Sequence, residues 1–128
     1  MRFIVDTHLL VWAANQPHRL SRIAAEIISD PDNDLYFSAI SIWEVAIKQK
    51  LGRSSFNVDA PTLRRGLMAN GFHELPLSAE HGIATLSLPP IHQDPFDRIL
   101  IAQANTEGIT LLTADSEIAK YSGPIRKV

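Results

Sequence analysis

Phe3-Ile4-Val5-Asp6-Thr7-His8 is the stretch on which the fold turns. Its three successive apolar residues, two of them β-branched, have the make-up of a strand buried on both faces, and the run stops at a carboxylate. Runs of strand length recur at about Leu35–Ser38, Glu74–Leu77, Ile109–Thr113 and Ile125–Val128. Segments with helical spacing lie between them: near His8 to Ala14, Ser21 to Ser29, Ser41 to Gly52, Thr62 to Ala69, Ala79 to Leu86, and from Pro95 onward. This alternation predicts βαβ units and a parallel sheet. Local signals mark several boundaries. Asp30-Pro31-Asp32-Asn33-Asp34 is a turn, and Pro89-Pro90 ends the fifth helix. Ser41-Ile42-Trp43-Glu44 reads as a capping box with Gly52 as the stop. Asp94-Pro95 reads as an N-cap followed by proline at the first helical position, with Phe96, Ile99, Leu100 and Gln103 on one face.

The 128 residues suit one domain spanning 1–128, and 45% hydrophobic residues is ordinary for a globular chain. No stretch approaches the roughly 18 consecutive apolar residues of a membrane span. Asp6 and His8 interrupt the apolar run that a secretory signal needs, so a cytoplasmic protein is expected. With no cysteine there is no disulfide, thiolate zinc site or cysteine nucleophile, and any metal must sit on oxygen or imidazole. The net charge of −2 argues against broad coating of DNA, which relies on many Lys and Arg contacts. His8, His18, His73, His81 and His92 show none of the spacings of a histidine zinc motif.

Topology is expected to bring four remote acids together. Asp6 ends the first strand and Asp115 follows the fourth, so both sit at the carboxyl edge of a parallel sheet. A crossover helix begins at that same edge, and Glu44 and Asp97 are read as lying in helical first turns. Ligands bind there, particularly where strand order reverses, and an order of 3-2-1-4-5 puts the reversal between the strands bearing Asp6 and Asp115. Each acid also has a local explanation. Asp6 and Asp115 can cap helices, Glu44 can complete the capping box, and Asp97 gains about 0.3–1 kcal/mol from the helix dipole. Capping does not explain convergence, because clustered anions repel unless a cation compensates. An all-oxygen set suits Mg²⁺ or Mn²⁺, and one or two such ions would support hydrolysis of a phosphodiester.

The segments carrying these acids resemble a family. Phe3-Ile4-Val5-Asp6-Thr7-His8, Ser41-Ile42-Trp43-Glu44, His92-Gln93-Asp94-Pro95-Phe96-Asp97-Arg98 and Leu112-Thr113-Ala114-Asp115 look like the PIN-domain ribonucleases, specifically the VapC-type toxins of toxin–antitoxin pairs. Ile99 to Ala104 and Ile118 to Tyr121 extend the likeness over nearly the whole chain. The resemblance implies an α/β fold, a PIN-like three-layer α/β/α sandwich around the parallel sheet. It also implies metal-dependent endoribonuclease activity on RNA, a homodimer and inhibition by a small cognate antitoxin. Asp6, Glu44 and Asp97 take the three main metal-binding positions, and Asp115 the more variable fourth. Residues 53–71 carry no signature of the family, which leaves the substrate-selecting surface open.

Supporting roles are assigned more loosely. Thr7, Ser38 and Thr113 lie near the carboxyl edge, where hydroxyls orient ligands or cap helices. Asp94 reads as an N-cap before a ligand, and His92-x-Asp94 as loop chemistry. Arg98 reads either as a phosphate contact or as a partner for Asp94. Trp12 and Trp43 read as core or dimer contacts. Lys48, Lys50, Arg53, Arg64 and Arg65 read as solvated helix faces, with Lys48 placed to pair with Glu44. Two rivals stand beside the nuclease: a catalytically idle binding module of the same fold, and a phosphate-signalling or phosphatase-like α/β domain. The second wants an acidic pair or Asp-x-Asp after the first strand, and Asp6 is followed by Thr7-His8.

Overall fold

The computed structural model describes residues 1–52 and 58–128, so the reading of Arg53 lies outside the described residues. Five strands, β1 (Arg2–Val5), β2 (Asp34–Ser38), β3 (His73–Leu75), β4 (Thr110–Thr113) and β5 (Ile125–Lys127), form one parallel sheet in the order β3-β2-β1-β4-β5. The order expected from the sequence is the order found. Phe3 pairs with Leu35 on one side and Thr110 on the other, which makes β1 the central strand.

Alternation along the strands sorts side chains into two cores. Phe3, Val5, Phe37 and Leu112 face helices α1 (Thr7–Asn15), α2 (Arg22–Ser29) and α4 (Ala60–Ala69), through Leu9, Leu10, Ile27 and Leu63. Ile4 and Leu111 face the other way, toward Leu100, Ile101 and Ala104 of α6 (Pro95–Glu107). Helix α3 (Ala39–Lys50) gives Val45 to the first core and Ile40 to the second. The result is a three-layer α/β/α sandwich. Burial on both faces is why β1 reads as an unbroken apolar run.

Several boundaries depart from the sequence reading. Helix α3 begins two residues before Ser41. Its N-cap is Ser38, whose hydroxyl accepts the Ile40 N–H at 3.1 Å. Ser41 is therefore inside the helix and Glu44 in its second turn, so the Ser41–Glu44 capping box does not form. A capping box does form at α5 (Ala79–Ala84), between Ser78 and His81. Strand β3 stops at Leu75 instead of Leu77 because Pro76 has no N–H for the ladder. Helix α6 starts as expected, with Asp94 Oδ1 accepting the N–H of Phe96 at 2.8 Å and of Asp97 at 3.2 Å. It ends at Gly108, whose φ of 66° suits glycine. Ser38 is fully buried and serves a single cap. Ser38→Ala should cost about 1 kcal/mol in urea denaturation; wild-type stability would show that α3 does not need the cap.

Candidate functional site

Asp6 follows β1, and its backbone N–H donates to Leu112 O of β4 at 3.0 Å. The ladder thus carries it one position past the strand, to the reversal of strand order. Its side chain is almost fully buried. Oδ1 accepts the Leu9 N–H at 3.0 Å, capping α1, and Oδ2 accepts the Thr113 hydroxyl. The Thr113 oxygen in turn accepts the Asp115 N–H at 3.0 Å, so one hydroxyl ties the two strand-end acids together. Asp115 Oδ1 accepts the Glu117 N–H at 2.7 Å and opens the turn into the 3₁₀ segment Ile118–Lys120. Burial pushes the Asp6 carboxyl above its ordinary range. The negative charge of Asp115 acts in the same direction, against the Thr113 and Leu9 hydrogen bonds and nearby His8.

Asp97 occupies the first turn of α6, as expected. Its carboxyl is pushed up to about 7, chiefly by burial, then by the negative charge of Asp94 and to a lesser extent of Glu44, with the His92 hydrogen bond opposing. Glu44 is 2% exposed. Its Oε2 pairs with Lys48 Nζ at 2.6 Å, while Oε1 is buried with no hydrogen-bond partner. The Thr7 hydroxyl donates to Ser41 Oγ at 2.8 Å, fastening the start of α1 to α3 one turn before Glu44. Among the acids, Asp115 acts on Asp6, and Asp94 and then Glu44 act on Asp97. The tightest potential ligand group among the described residues is different. It comprises His92, Asp94 and Asp97, whose ligand atoms lie within 4.8 Å of one another.

These residues fit a hard divalent cation. The donors are carboxyl oxygens, burial and neighbouring acids push two of the carboxyls up, and Glu44 Oε1 is a buried oxygen lacking a hydrogen-bond partner. Asp94 adds to the negative field while spending one oxygen on the α6 N-cap.

Three assignments from the sequence change. Arg98 neither approaches as a free phosphate contact nor pairs with Asp94; its guanidinium is committed to backbone carbonyls and Tyr121. Trp43 is not a core residue: it is 59% exposed and meets Phe96 edge to face, ring centroids 5.6 Å apart. His92 does more than loop chemistry, since its Nε2 lies 2.7 Å from Asp97 Oδ2. The spacing His92-x-Asp94-x-x-Asp97 was the available signal, but only the fold of the preceding loop turns that ring toward the helix. Of the basic residues, Lys48 is taken by Glu44, and Arg64 holds Glu74 through two hydrogen bonds of 2.7 and 3.3 Å.

A parallel sheet whose strand order reverses beside Asp6, with a buried orphan carboxyl oxygen on Glu44, defines an α/β domain with acidic residues at its carboxyl edge. The chain belongs to the PIN domain family, whose profile matches residues 3–124. It is similar to Ribonuclease VapC22 of Mycobacterium tuberculosis, with 26% identity over 122 residues that cover 94% of this chain and 92% of that protein. Its fold is also that of a chain in the crystal structure of VapBC2 from Rickettsia felis bound to a DNA fragment from their promoter. The TM-score there is 0.74 at 15% identity, over 99% of this chain and 98% of the other. No helix among the described residues is long and apolar enough to cross a membrane.

Proposed function

We propose that this chain is a Mg²⁺- or Mn²⁺-dependent endoribonuclease, the toxin of a toxin–antitoxin pair, acting on RNA at the edge formed by Asp6, Glu44, Asp97 and Asp115. The observation that carries the reading is the buried, unpartnered Oε1 of Glu44, on a residue whose charge is felt by an Asp97 that resists ionisation. Membership of the PIN family and similarity to a protein named as a ribonuclease support RNA as the substrate.

Asp6, Glu44 and Asp97 would hold the ion, with Asp115 as a fourth acid tied to Asp6 through Thr113. When bound, Mg²⁺ or Mn²⁺ supplies Lewis-acid stabilisation of phosphoryl charge and makes water a stronger acid. The protein contributes preorganisation. Asp6 is fixed by the Leu9 N–H and the Thr113 hydroxyl, and Glu44 by Lys48, so little reorganisation is needed when the ion and a phosphate arrive. An antitoxin segment bearing Arg or Lys would compensate the same anions and close the site. A homodimer and a cytoplasmic location complete the proposal.

The test is incubation of the purified protein with defined RNAs, with chelator or with Mg²⁺ or Mn²⁺, beside Asp6→Asn. Cleavage should need both the metal and Asp6, and the variant should lose about 10³-fold, equivalent to several kcal/mol of transition-state stabilisation. Cleavage by Asp6→Asn at the wild-type rate would remove the site from the reaction.

A further inference from the structure

His92 stands outside the acidic set, yet it is held more firmly than a loop residue needs to be. The Tyr121 hydroxyl accepts the His92 N–H at 2.8 Å and lies 3.4 Å from the His92 carbonyl, to which it donates. Arg98 reaches the same point: Nη1 donates to Tyr121 Oη at 3.2 Å, to His92 O at 3.4 Å and to Pro89 O at 3.0 Å. Its other nitrogen donates to the Thr85 carbonyl at 3.2 Å and the Leu88 carbonyl at 3.5 Å. A planar fork of five N–H donors can gather several carbonyls in this way, and lysine cannot. Tyr121 is buried, so the loop is anchored to the core. Toward the acids, the contact that this anchoring sets up is His92 Nε2 against Asp97 Oδ2, at 2.7 Å.

We propose that His92 is a positioning residue of the metal site, oriented by the Arg98–Tyr121 clamp so that its Nε2–H fixes the Asp97 carboxylate for cation binding. This rests on the metal-site reading above. Asp97 has few other restraints: its backbone N–H is bound to Asp94, whereas its side chain leans on the imidazole. Hydrogen-bond partners that orient a ligating carboxylate govern affinity for the ion, and losing one costs about 10–100-fold. The role belongs to one N–H at one place. A glutamine, whose Nε2 reaches the corresponding position, should replace it, and a phenylalanine of similar shape should not.

The experiment is calorimetric titration of the full chain with Mn²⁺ alone, without RNA. His92→Phe should weaken Mn²⁺ binding about tenfold, while His92→Gln stays within about twofold of wild type. Tyr121→Phe, which removes the hydroxyl that holds His92, should also weaken binding, but should add nothing in the His92→Phe background, because the tyrosine acts through the histidine. Melting curves in chelator identify any variant that has lost its fold, and His92→Gln then carries the comparison. Equal affinity of His92→Phe and wild type would overturn the proposal, as would failure of His92→Gln to retain binding, or full additivity of the two phenylalanine variants. Absence of Mn²⁺ binding by the wild type would overturn it too. Tight Mn²⁺ binding that follows this pattern in a protein that cuts no RNA would instead leave the positioning role standing and defeat the ribonuclease reading.

Discussion

Asp97→Asn is expected to abolish RNA cleavage and, in the presence of chelator, to raise the melting temperature at pH 8. The two effects have one cause. In the native protein the Asp97 carboxyl is pushed up to about 7, from an ordinary value of 3.8. Between those values the folded state binds more protons than the unfolded chain, so stability falls as pH rises through this window. Above it the full cost of a buried, poorly compensated anion is present. Asparagine keeps the shape without the charge. The displacement corresponds to a few kcal/mol at most, and partial solvent access reduces the gain to about 1–2 kcal/mol, or roughly 5 °C in a chain of this size. At about pH 3, below both values, the carboxyl is largely protonated in both states, and variant and wild type should melt together. An equally active variant, or one destabilised at pH 8, would mean that Asp97 serves the fold instead of the chemistry.

Divalent metal should stabilise the wild type, and more so at high pH. An ion that binds only the native state adds about 2.7 kcal/mol at a concentration a hundred times its dissociation constant, equivalent to roughly 10 °C. Protons compete for the same oxygens, so the gain at pH 8 should exceed that at pH 5, where Asp97 is mostly protonated. In Asp97→Asn the increment should shrink at both pH values. A melting temperature unmoved by saturating Mg²⁺ and Mn²⁺ would leave Glu44 Oε1 without the partner proposed for it.

Much of this architecture is legible in the sequence because local and global signals agree. Phe3-Ile4-Val5 cannot be solvated on either face, and Asp94-Pro95 specifies a helix start in two residues; the sheet order and the start of α6 follow as expected. Where two signals compete, the sequence alone does not decide. Ser38 and Ser41 are both plausible caps three residues apart. The choice fell to Ser38 because β2 runs straight into α3 and buries Ile40 at the junction, which turns the apparent Ser41–Glu44 box into a helical interior. That shift moves Glu44 to the second turn, next to Lys48 and coupled to Asp97, without removing it from the site.

Other features depend on loops, whose shape has no periodicity to read. Arg98 looked free for phosphate or Asp94 because its true partners are main-chain oxygens of residues 85–92, which carry no sequence signature. His92 meets Asp97 for the same reason. Of the two readings of Trp43, core or dimer contact, the core one does not hold: the packing of α3 against α6 leaves its ring on Phe96 at the surface.

Anomalous diffraction from crystals grown with Mn²⁺ tests most directly whether remote acids share one cation. A peak bonded to oxygens of both Asp6 and Asp97, with Glu44 beside it, is the expected result. Occupancy confined to His92 and Asp94, or no peak at saturating Mn²⁺, would separate the acids from a common ion and contradict the account.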